Sequence, residues 1–353
     1  MAKITWERAV LHLDMDAFYV NVHLLDHPED AGVPLVVGGR PEGRGVVASA
    51  SYEARRFGVR SAMPAAQALR LCPQLKFVGH NWPRIKECSQ EVMSLLRQAG
   101  PVEQMSVDEA YVDLTNRPQP ETTAVALQRR VKEETGLPAS VGLASSKLVA
   151  KVASDFDKPE GCTIVRPGQE QAFLAPLSVR VIWGIGPRTA ERLATLGIKT
   201  CRDLALADPA PLHAAFGRQA QPLQQRARGI DRRPVSAERE LPKSISQERT
   251  FVRDVNDPAY LQEKLQEMAA TVAQSLQRRG LVAHTVTVKF RWADFTTFTR
   301  QKTISAPIDD EAGIARLAQL IWRENWPEGQ RMRLLGVGVS NLEEPQARQL
   351  ALL

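Results

Sequence analysis

Val10-Leu11-His12-Leu13-Asp14-Met15-Asp16 alternates apolar and polar side chains and ends in two carboxylates. Alternation at period two predicts a half-buried strand, with Asp14 and Asp16 leaving its polar face at one end. A second acidic pair stands in Ser106-Val107-Asp108-Glu109. It is flanked by residues 102–105 and 110–114, which read as the arms of a hairpin. Adjacent carboxylates on a regular strand face opposite sides, so a turn is needed to aim both at one point. If the two segments pair, Asp14, Asp108 and Glu109 converge. Three close carboxylates repel and hold protons unless a cation neutralises them. An all-oxygen donor set suits a hard ion such as Mg²⁺ and not zinc. Two such ions suit an in-line displacement at phosphorus. Taken alone, Asp-x-Asp is also compatible with two unrelated solvated turns.

Working outward, residues 35–39 and 45–49 read as short strands around a Gly/Pro/Arg turn. Residues 83–99 and 121–135 have helical spacing, and 139–144 is a strand followed by a helix from Lys147. Residues 168–230 read as all-helical. The polar, Arg-rich stretch 231–240 is the best linker in the chain. Beyond it come a helix over 260–277, strands over 284–292 and 298–304, a helix over 311–324 and a strand over 334–340. Lys243-Ser244-Ile245-Ser246 opens this piece, and the order is read as β-α-β-β-α-β, the split βαβ plan.

The 353 residues are too many for one small domain. No run of 18 apolar residues occurs, so no membrane partner is expected, and charges within the first eight residues argue against a secretory leader. Cys72, Cys88, Cys162 and Cys201 are scattered, with no CxxC pair, and are expected as reduced cytoplasmic thiols. The net charge of +6 is unevenly placed. Residues 1–167 carry 20 basic against 20 acidic side chains, 168–242 carry 11 against 7, and 243–342 carry 14 against 11. A neutral N-terminal half followed by basic pieces suits a catalytic module followed by modules that grip a polyanion. The six histidines form no HExxH or other metal pattern.

Several further stretches stand in a fixed order. Leu13-Asp14-Met15-Asp16-Ala17-Phe18-Tyr19 is followed by Ala48-Ser49-Ala50-Ser51-Tyr52-Glu53-Ala54-Arg55, then by Ser106-Val107-Asp108-Glu109-Ala110-Tyr111. Val141-Gly142-Leu143-Ala144-Ser145-Ser146-Lys147 and Lys158-Pro159-Glu160-Gly161 come last. Together they resemble the successive motifs of the Y-family DNA polymerases, with the DNA polymerase IV (DinB) type as the nearest branch. The resemblance covers almost the whole chain.

It implies an α+β multidomain right hand. A ferredoxin-like palm would comprise residues 1–17 and 81–167, small fingers 18–80, and a helical thumb with a helix-hairpin-helix 168–231. A linker at 232–242 would lead to a split-βαβ little finger at 243–342 and a tail at 343–353. By the same resemblance, the metal ligands would be Asp14, Asp108 and Glu109, assisted by the Met15 backbone carbonyl. They would hold two Mg²⁺ ions, with Mn²⁺ as the alternative. Asp16 fits better as a structural partner. Ser49, Tyr52, Arg55 and Lys158 would contact the incoming triphosphate. Arg55 offers a bidentate fork and Lys158 a point charge. Tyr19 stands where the family has an aromatic steric gate, a ring under the sugar that leaves no room for a 2′-hydroxyl.

Ile182-Trp183-Gly184-Ile185-Gly186-Pro187 looks like the turn of a helix-hairpin-helix. There Gly184, Ile185 and Gly186 would present backbone N–H groups to a DNA phosphate. Lys289, Arg291, Arg300 and Lys302 are candidate phosphate contacts on the sheet of the last piece. Trp292, Trp322 and Trp326 read as packing residues. In the tail, Gln349, Leu350, Leu352 and Leu353 resemble the short sliding-clamp-binding peptide of bacterial polymerases. The expected activity is template-directed, low-fidelity DNA synthesis past damaged bases by a cytoplasmic monomer. Its partners would be primer–template DNA, a dNTP and a sliding clamp. The five pieces leave no stretch for a proofreading exonuclease. A nucleotidyl cyclase and a catalytically silent DNA-binding repair scaffold are the alternatives.

Overall fold

The computed structural model describes residues 5–238 and 241–345. It divides into two compact units, one built on residues up to 39 and 46–238, the other on 40–45 and the residues after 238. The strands are β1 (Val10–Met15), β2 (Leu35–Gly38), β3 (Val47–Ala50), β4 (Lys76–Val78), β5 (Val102–Gln104), β6 (Glu109–Asp113), β7 (Ala139–Ala144), β8 (Cys162–Ile164), β9 (Ser244–Val255), β10 (Val282–Trp292), β11 (Thr297–Ile308) and β12 (Met332–Glu343).

In the first unit the central sheet has the order β5-β6-β1-β7-β8. Antiparallel β6 is inserted between β1 and β5, and β7 flanks β1 on the other side. That is the ferredoxin-like pairing, with β8 added in parallel at the edge. Alternation along β1 works as expected. Leu11, Leu13 and Met15 face helices Trp82–Ala99 and Pro120–Thr135 and join one core with Ile85, Val92, Leu127 and Val131. His12, Asp14 and Asp16 face the other way.

That second face is covered by helix Lys147–Phe156, which lies directly on β7. Gly142 permits the approach. A Cβ there would stand 2.7 Å from Ala153 Cβ and closer still to the Ala150 carbonyl oxygen. Leu148, Val149 and Val152 of this helix continue into the core of the all-helical region, with Leu174, Ile182, Leu193, Leu204 and Leu223. A small sheet of order β3-β2-β4 carries helices Tyr52–Arg56 and Ala65–Leu71. Ser51 caps the first of these, its hydroxyl accepting the Ala54 amide at 3.2 Å.

The second unit is one antiparallel sheet of order β11-β10-β12-β9 with helices Pro258–Gln277 and Glu311–Asn325 on one face. The parallel strands β9 and β10 are split by β12, as the element order predicts. The first helix buries leucines and alanines, and the second Ile314, Ala318 and Ile321, against Val286, Val288, Phe290, Leu335 and Val337. Trp292 and Trp322 are buried there, and Trp326 stacks on Trp322 at 4.9 Å. The four cysteines are unpaired, and three of them are buried. Among the described residues, no helix is long and apolar enough to cross a membrane.

Candidate active site

The site forms where β1 ends. Asp14 is paired across the ladder with Glu109, and the Met15 amide donates to the Asp108 carbonyl at 2.9 Å. This register brings the two acidic motifs side by side. The 106–109 turn is closed by Ser106, whose Oγ accepts the amides of Asp108 and Glu109 at 3.1 and 3.0 Å and donates to the Asp108 carboxylate. The chain then turns sharply. Ala17 has φ 42° and ψ 45°, a left-handed conformation that costs a non-glycine residue about 1–2 kcal/mol. The turn starts helix Phe18–Asp26 at once and swings Tyr19 over the end of the strand.

One cleft is lined by Asp14, Met15, Tyr19, Ser49, Tyr52, Arg55, Asp108 and Lys158, together with Ala17, Phe18, Ala48 and Ser61. Eight residues singled out in the sequence therefore share a single cavity. Glu109 does not line it. Its carboxylate is paired with Lys151 and lies 3.5 Å from His12 Nε2. Asp14 is held by Lys158, whose Nζ is 2.6 Å from Asp14 Oδ1 and 3.1 Å from Asp155. Among the described residues, no three His, Cys, Asp or Glu side chains close on one point. The convergence of three carboxylates expected from the sequence is thus incomplete. In this structure two lysines supply the neutralising charge.

The electrostatics follow from those pairs. Burial pushes the Asp14 carboxyl up, against the pull of Lys158. Glu109 is drawn down to about 2, first by its contact with His12 and then by Lys151. Burial lowers the His12 pKa, so its imidazole stays neutral. Its Nδ1 lies 2.7 Å from the Ser154 hydroxyl. Tyr52 is pushed up to about 12 by burial and by nearby Asp16, so its hydroxyl remains a donor.

Asp16 is fully engaged within the protein. It accepts from Ser140 Oγ at 2.9 Å, from the Glu160 amide at 2.8 Å and from Tyr52 OH at 3.2 Å. It ties β1, β7, the loop after Lys158 and the Tyr52 helix together. Arg55 lies over the Tyr52 ring at 4.6 Å and donates from Nε to the Ala50 carbonyl. That holds the guanidinium at the rim of the cleft.

Sequence reading missed His12, Lys151 and the buried pair Lys147–Glu103, joined at 2.5 Å. A signal was available. Lys147 and Lys151 are four residues apart, the spacing of one helical face, in the helix that ends at Phe156. The acidic motifs by themselves do not reveal it, because lysines on a helix ordinarily read as a solvated face.

The glycine-rich turn has Gly184 at φ 95° and Gly186 as N-cap of helix Pro187–Ala194, with Pro187 in its first turn. Ile185 is buried, and its amide donates to the Ile182 carbonyl at 3.0 Å. In the second unit the four basic residues separate. Lys289 and Arg291 alternate with buried Val288 and Phe290, so they project from the face opposite the helices. Arg300 and Lys302 are register partners of Val288 and Val286 and project from the helix side, where Lys302 pairs with Glu324 at 2.9 Å. The expectation that all four share one sheet surface is therefore corrected: only Lys289 and Arg291 lie on the open face, where Lys289 pairs with Glu248 at 2.8 Å. Lys289 borders a groove that also includes Ser244, Ser246, Thr287, Gly336 and Gly338. Gln349, Leu350, Leu352 and Leu353 lie outside the described residues.

Comparison with known proteins agrees with this architecture. The model of the impB/mucB/samB family matches residues 13–155, its C-terminal domain matches 242–352, and the IMS family HHH motif matches 167–198. A DNA polymerase IV of Halorhodospira halophila is 43% identical over 98% of both chains. One of Methanoculleus marisnigri is 44% identical over 99% of this chain and 98% of its own. Among solved structures, a Y-family DNA polymerase chimera, Dbh-Dpo4(243-245)-Dbh, superposes with a TM-score of 0.85 at 26% identity, covering 96% of this chain and all of that one. The insertion ternary complex of Dbh DNA polymerase gives 0.67 with the same coverage. The chain belongs to the impB/mucB/samB family, the Y-family DNA polymerases. Within that family its full-length likeness is to the DNA polymerase IV type, and it is a DNA-directed DNA polymerase that depends on divalent metal.

Proposed function

We propose that this cleft catalyses attack of a primer 3′-hydroxyl on the α-phosphate of a dNTP. An O3′–P bond forms, the bond between the α-phosphorus and the bridging oxygen breaks, and pyrophosphate leaves. The observation that carries the reading is that carboxylates and candidate phosphate-binding groups share one cavity: Asp14 and Asp108 line it together with Ser49, Tyr52, Arg55 and Lys158, the last 2.6 Å from Asp14.

The donor set fits Mg²⁺. Asp14, Asp108, Glu109 and the Met15 carbonyl are all oxygen ligands, and the lysines on Asp14 and Glu109 mark where positive charge is needed. Two Mg²⁺ ions held there would screen the triphosphate and ease ionisation of the 3′-hydroxyl. Lys158 then exchanges Asp14 for a phosphate oxygen, the Tyr52 hydroxyl likewise exchanges Asp16 for one, and Ser49 donates its hydroxyl hydrogen to the same chain of phosphates. Arg55 grips an outer phosphate. Tyr19 lies against the sugar and excludes a 2′-hydroxyl.

DNA would be gripped without regard to sequence. The phosphate-facing amides of the glycine-rich turn are those of Gly184 and Gly186, with Ile185 holding the turn in place. Lys289 and Arg291 line the open sheet face, where Gly336 and Gly338 leave a shallow trough. The tail residues Gln349, Leu350, Leu352 and Leu353 are read as a clamp-binding peptide that raises the effective concentration at the primer end. The enzyme is read as a cytoplasmic monomer that copies past damage with low fidelity and without proofreading.

Primer extension with Mg²⁺ and the four dNTPs tests the reading. Template-dependent extension supports it. DNA binding without extension would leave a scaffold, and a cyclic nucleotide formed without primer would leave a cyclase.

A further inference from the structure

Tyr19 is the shared wall of two cavities. On one side it faces the cleft that holds Asp14 and Asp108. On the other it borders a second cavity of about 330 Å³ that opens to solvent and is lined by Val22, His23, Val37, Val78 and His80. Tyr19 is the residue the two linings share. A ring with an open cavity behind it can rotate away unless something holds it.

Three aromatic rings lie against it: its helix neighbour Phe18, tilted at 5.9 Å and 50°, which belongs to the core on the cleft side, and His80 and Trp82 on the side of the second cavity. The rings of His80 and Trp82 are stacked on each other at 5.1 Å and 1°. Tyr19 meets each of them edge-on, at 5.8 Å and 72° for His80 and 5.8 Å and 71° for Trp82. Edge-to-face geometry is the favoured arrangement of such rings and is directional. The pair is itself fixed from the backbone. Asn81 caps helix Trp82–Ala99 by accepting the Arg84 amide at 3.3 Å, and Pro83 sits in the first turn. Trp82 is 48% exposed, a large apolar surface left in water that core packing does not explain.

We propose that His80 and Trp82 are positioning residues for sugar discrimination, holding the Tyr19 ring against the nucleotide cleft and out of the cavity behind it. The inference rests on the reading of Tyr19 as the sugar gate. Removing either ring frees Tyr19 to swing into the second cavity and makes room for a 2′-hydroxyl. His80 and Trp82 themselves touch no nucleotide.

The experiment compares kcat/KM for matched rNTP and dNTP insertion in the full chain. His80→Ala and Trp82→Ala should each raise the rNTP/dNTP ratio by about 3- to 10-fold, the factor equivalent to one aromatic pair. Trp82→Phe should restore a ratio near that of the unaltered protein. In a Tyr19→Ala background, which raises the ratio by itself, neither substitution should add to it. A ratio unmoved by His80→Ala and Trp82→Ala while Tyr19→Ala raises it overturns the positioning role alone. Equal increments with and without Tyr19 also overturn it. A ratio unmoved by Tyr19→Ala overturns the gate reading and the inference with it.

Discussion

Lys158 Nζ stands 2.6 Å from Asp14 Oδ1, so a cation the sequence assigns to phosphate and a carboxylate it assigns to metal neutralise each other. Lys151 and Glu109 form the same kind of pair on the next strand. Two of the three candidate metal-binding carboxylates are thus neutralised by lysines, and on the proposed reading metal and nucleotide take over the Asp14–Lys158 pair. Lys158→Met should therefore act mainly on nucleotide binding. We expect kcat/KM for dNTP to fall by about 10- to 100-fold, equivalent to one hydrogen bond to a charged group, with most of the change in KM. Steady-state insertion kinetics with saturating DNA read this out. A fall confined to kcat would place Lys158 outside triphosphate binding.

Glu109 gives a pH signature. Its folded-state pKa is depressed from 4.5 to about 2 by His12 and Lys151. A depressed carboxylate stabilises the fold above its unfolded pKa and loses that contribution as pH falls through the folded value. The window is therefore about pH 4.5 down to 2. Allowing for solvent screening of a partly exposed group, the contribution is about 1–2 kcal/mol. In metal-free buffer, urea titrations of the unaltered protein and of Glu109→Gln should differ at about pH 6 and converge toward about pH 2. Parallel curves at every pH would show that the pair contributes nothing.

Much of this was legible in the sequence because it rests on local pattern. Alternation in residues 10–16 marks the strand and its polar face, and the hairpin around Asp108 follows from the need to aim adjacent carboxylates together. What the pattern lacks is side-chain pairing across elements. His12 looks like one polar position in a strand, yet its ring is buried between Ser154 and Glu109. Lys147 looks like a solvated helix start, yet it is buried against Glu103. Arg300 and Lys302 group with Lys289 and Arg291 by proximity in sequence. Only the register of β10 against β11 shows that the two pairs project from opposite faces.

Gly142 is the close approach on which the lysine helix depends. Gly142→Ala places a methyl group against Ala153 Cβ and the backbone of helix Lys147–Phe156. Overpacking of this kind costs about 1–3 kcal/mol. The helix must lift, which moves Lys151 away from Glu109. Thermal melts should show the loss of stability, and insertion activity should fall further than stability alone explains. A variant with unchanged melting and activity would show that the helix tolerates the displacement.

The two faces of the second unit make separable predictions about DNA. Lys289→Ala with Arg291→Ala should lower the slope of log K against log salt by up to about 2, roughly one for each phosphate no longer neutralised. Lys302→Ala, on the helix face, should leave the slope as it was; the face alone decides, because Lys289 is held by Glu248 at 2.8 Å just as Lys302 is held by Glu324. Binding titrations on one primer–template at several salt concentrations distinguish them. Equal effects from both faces would contradict the assignment of the open face to DNA.

The most direct test of the central claim is Asp108→Ala, assayed on one preparation for both primer extension and DNA binding. Asp108 faces the nucleotide cleft, and its carboxylate is assigned to metal and not to DNA. Loss of a ligand to the catalytic ions should remove several kcal/mol of transition-state stabilisation, each ~1.36 kcal/mol being about tenfold in rate. The account predicts extension below about a hundredth of the unaltered rate with near-normal DNA affinity. Extension above about a tenth of that rate, with binding intact, would contradict it.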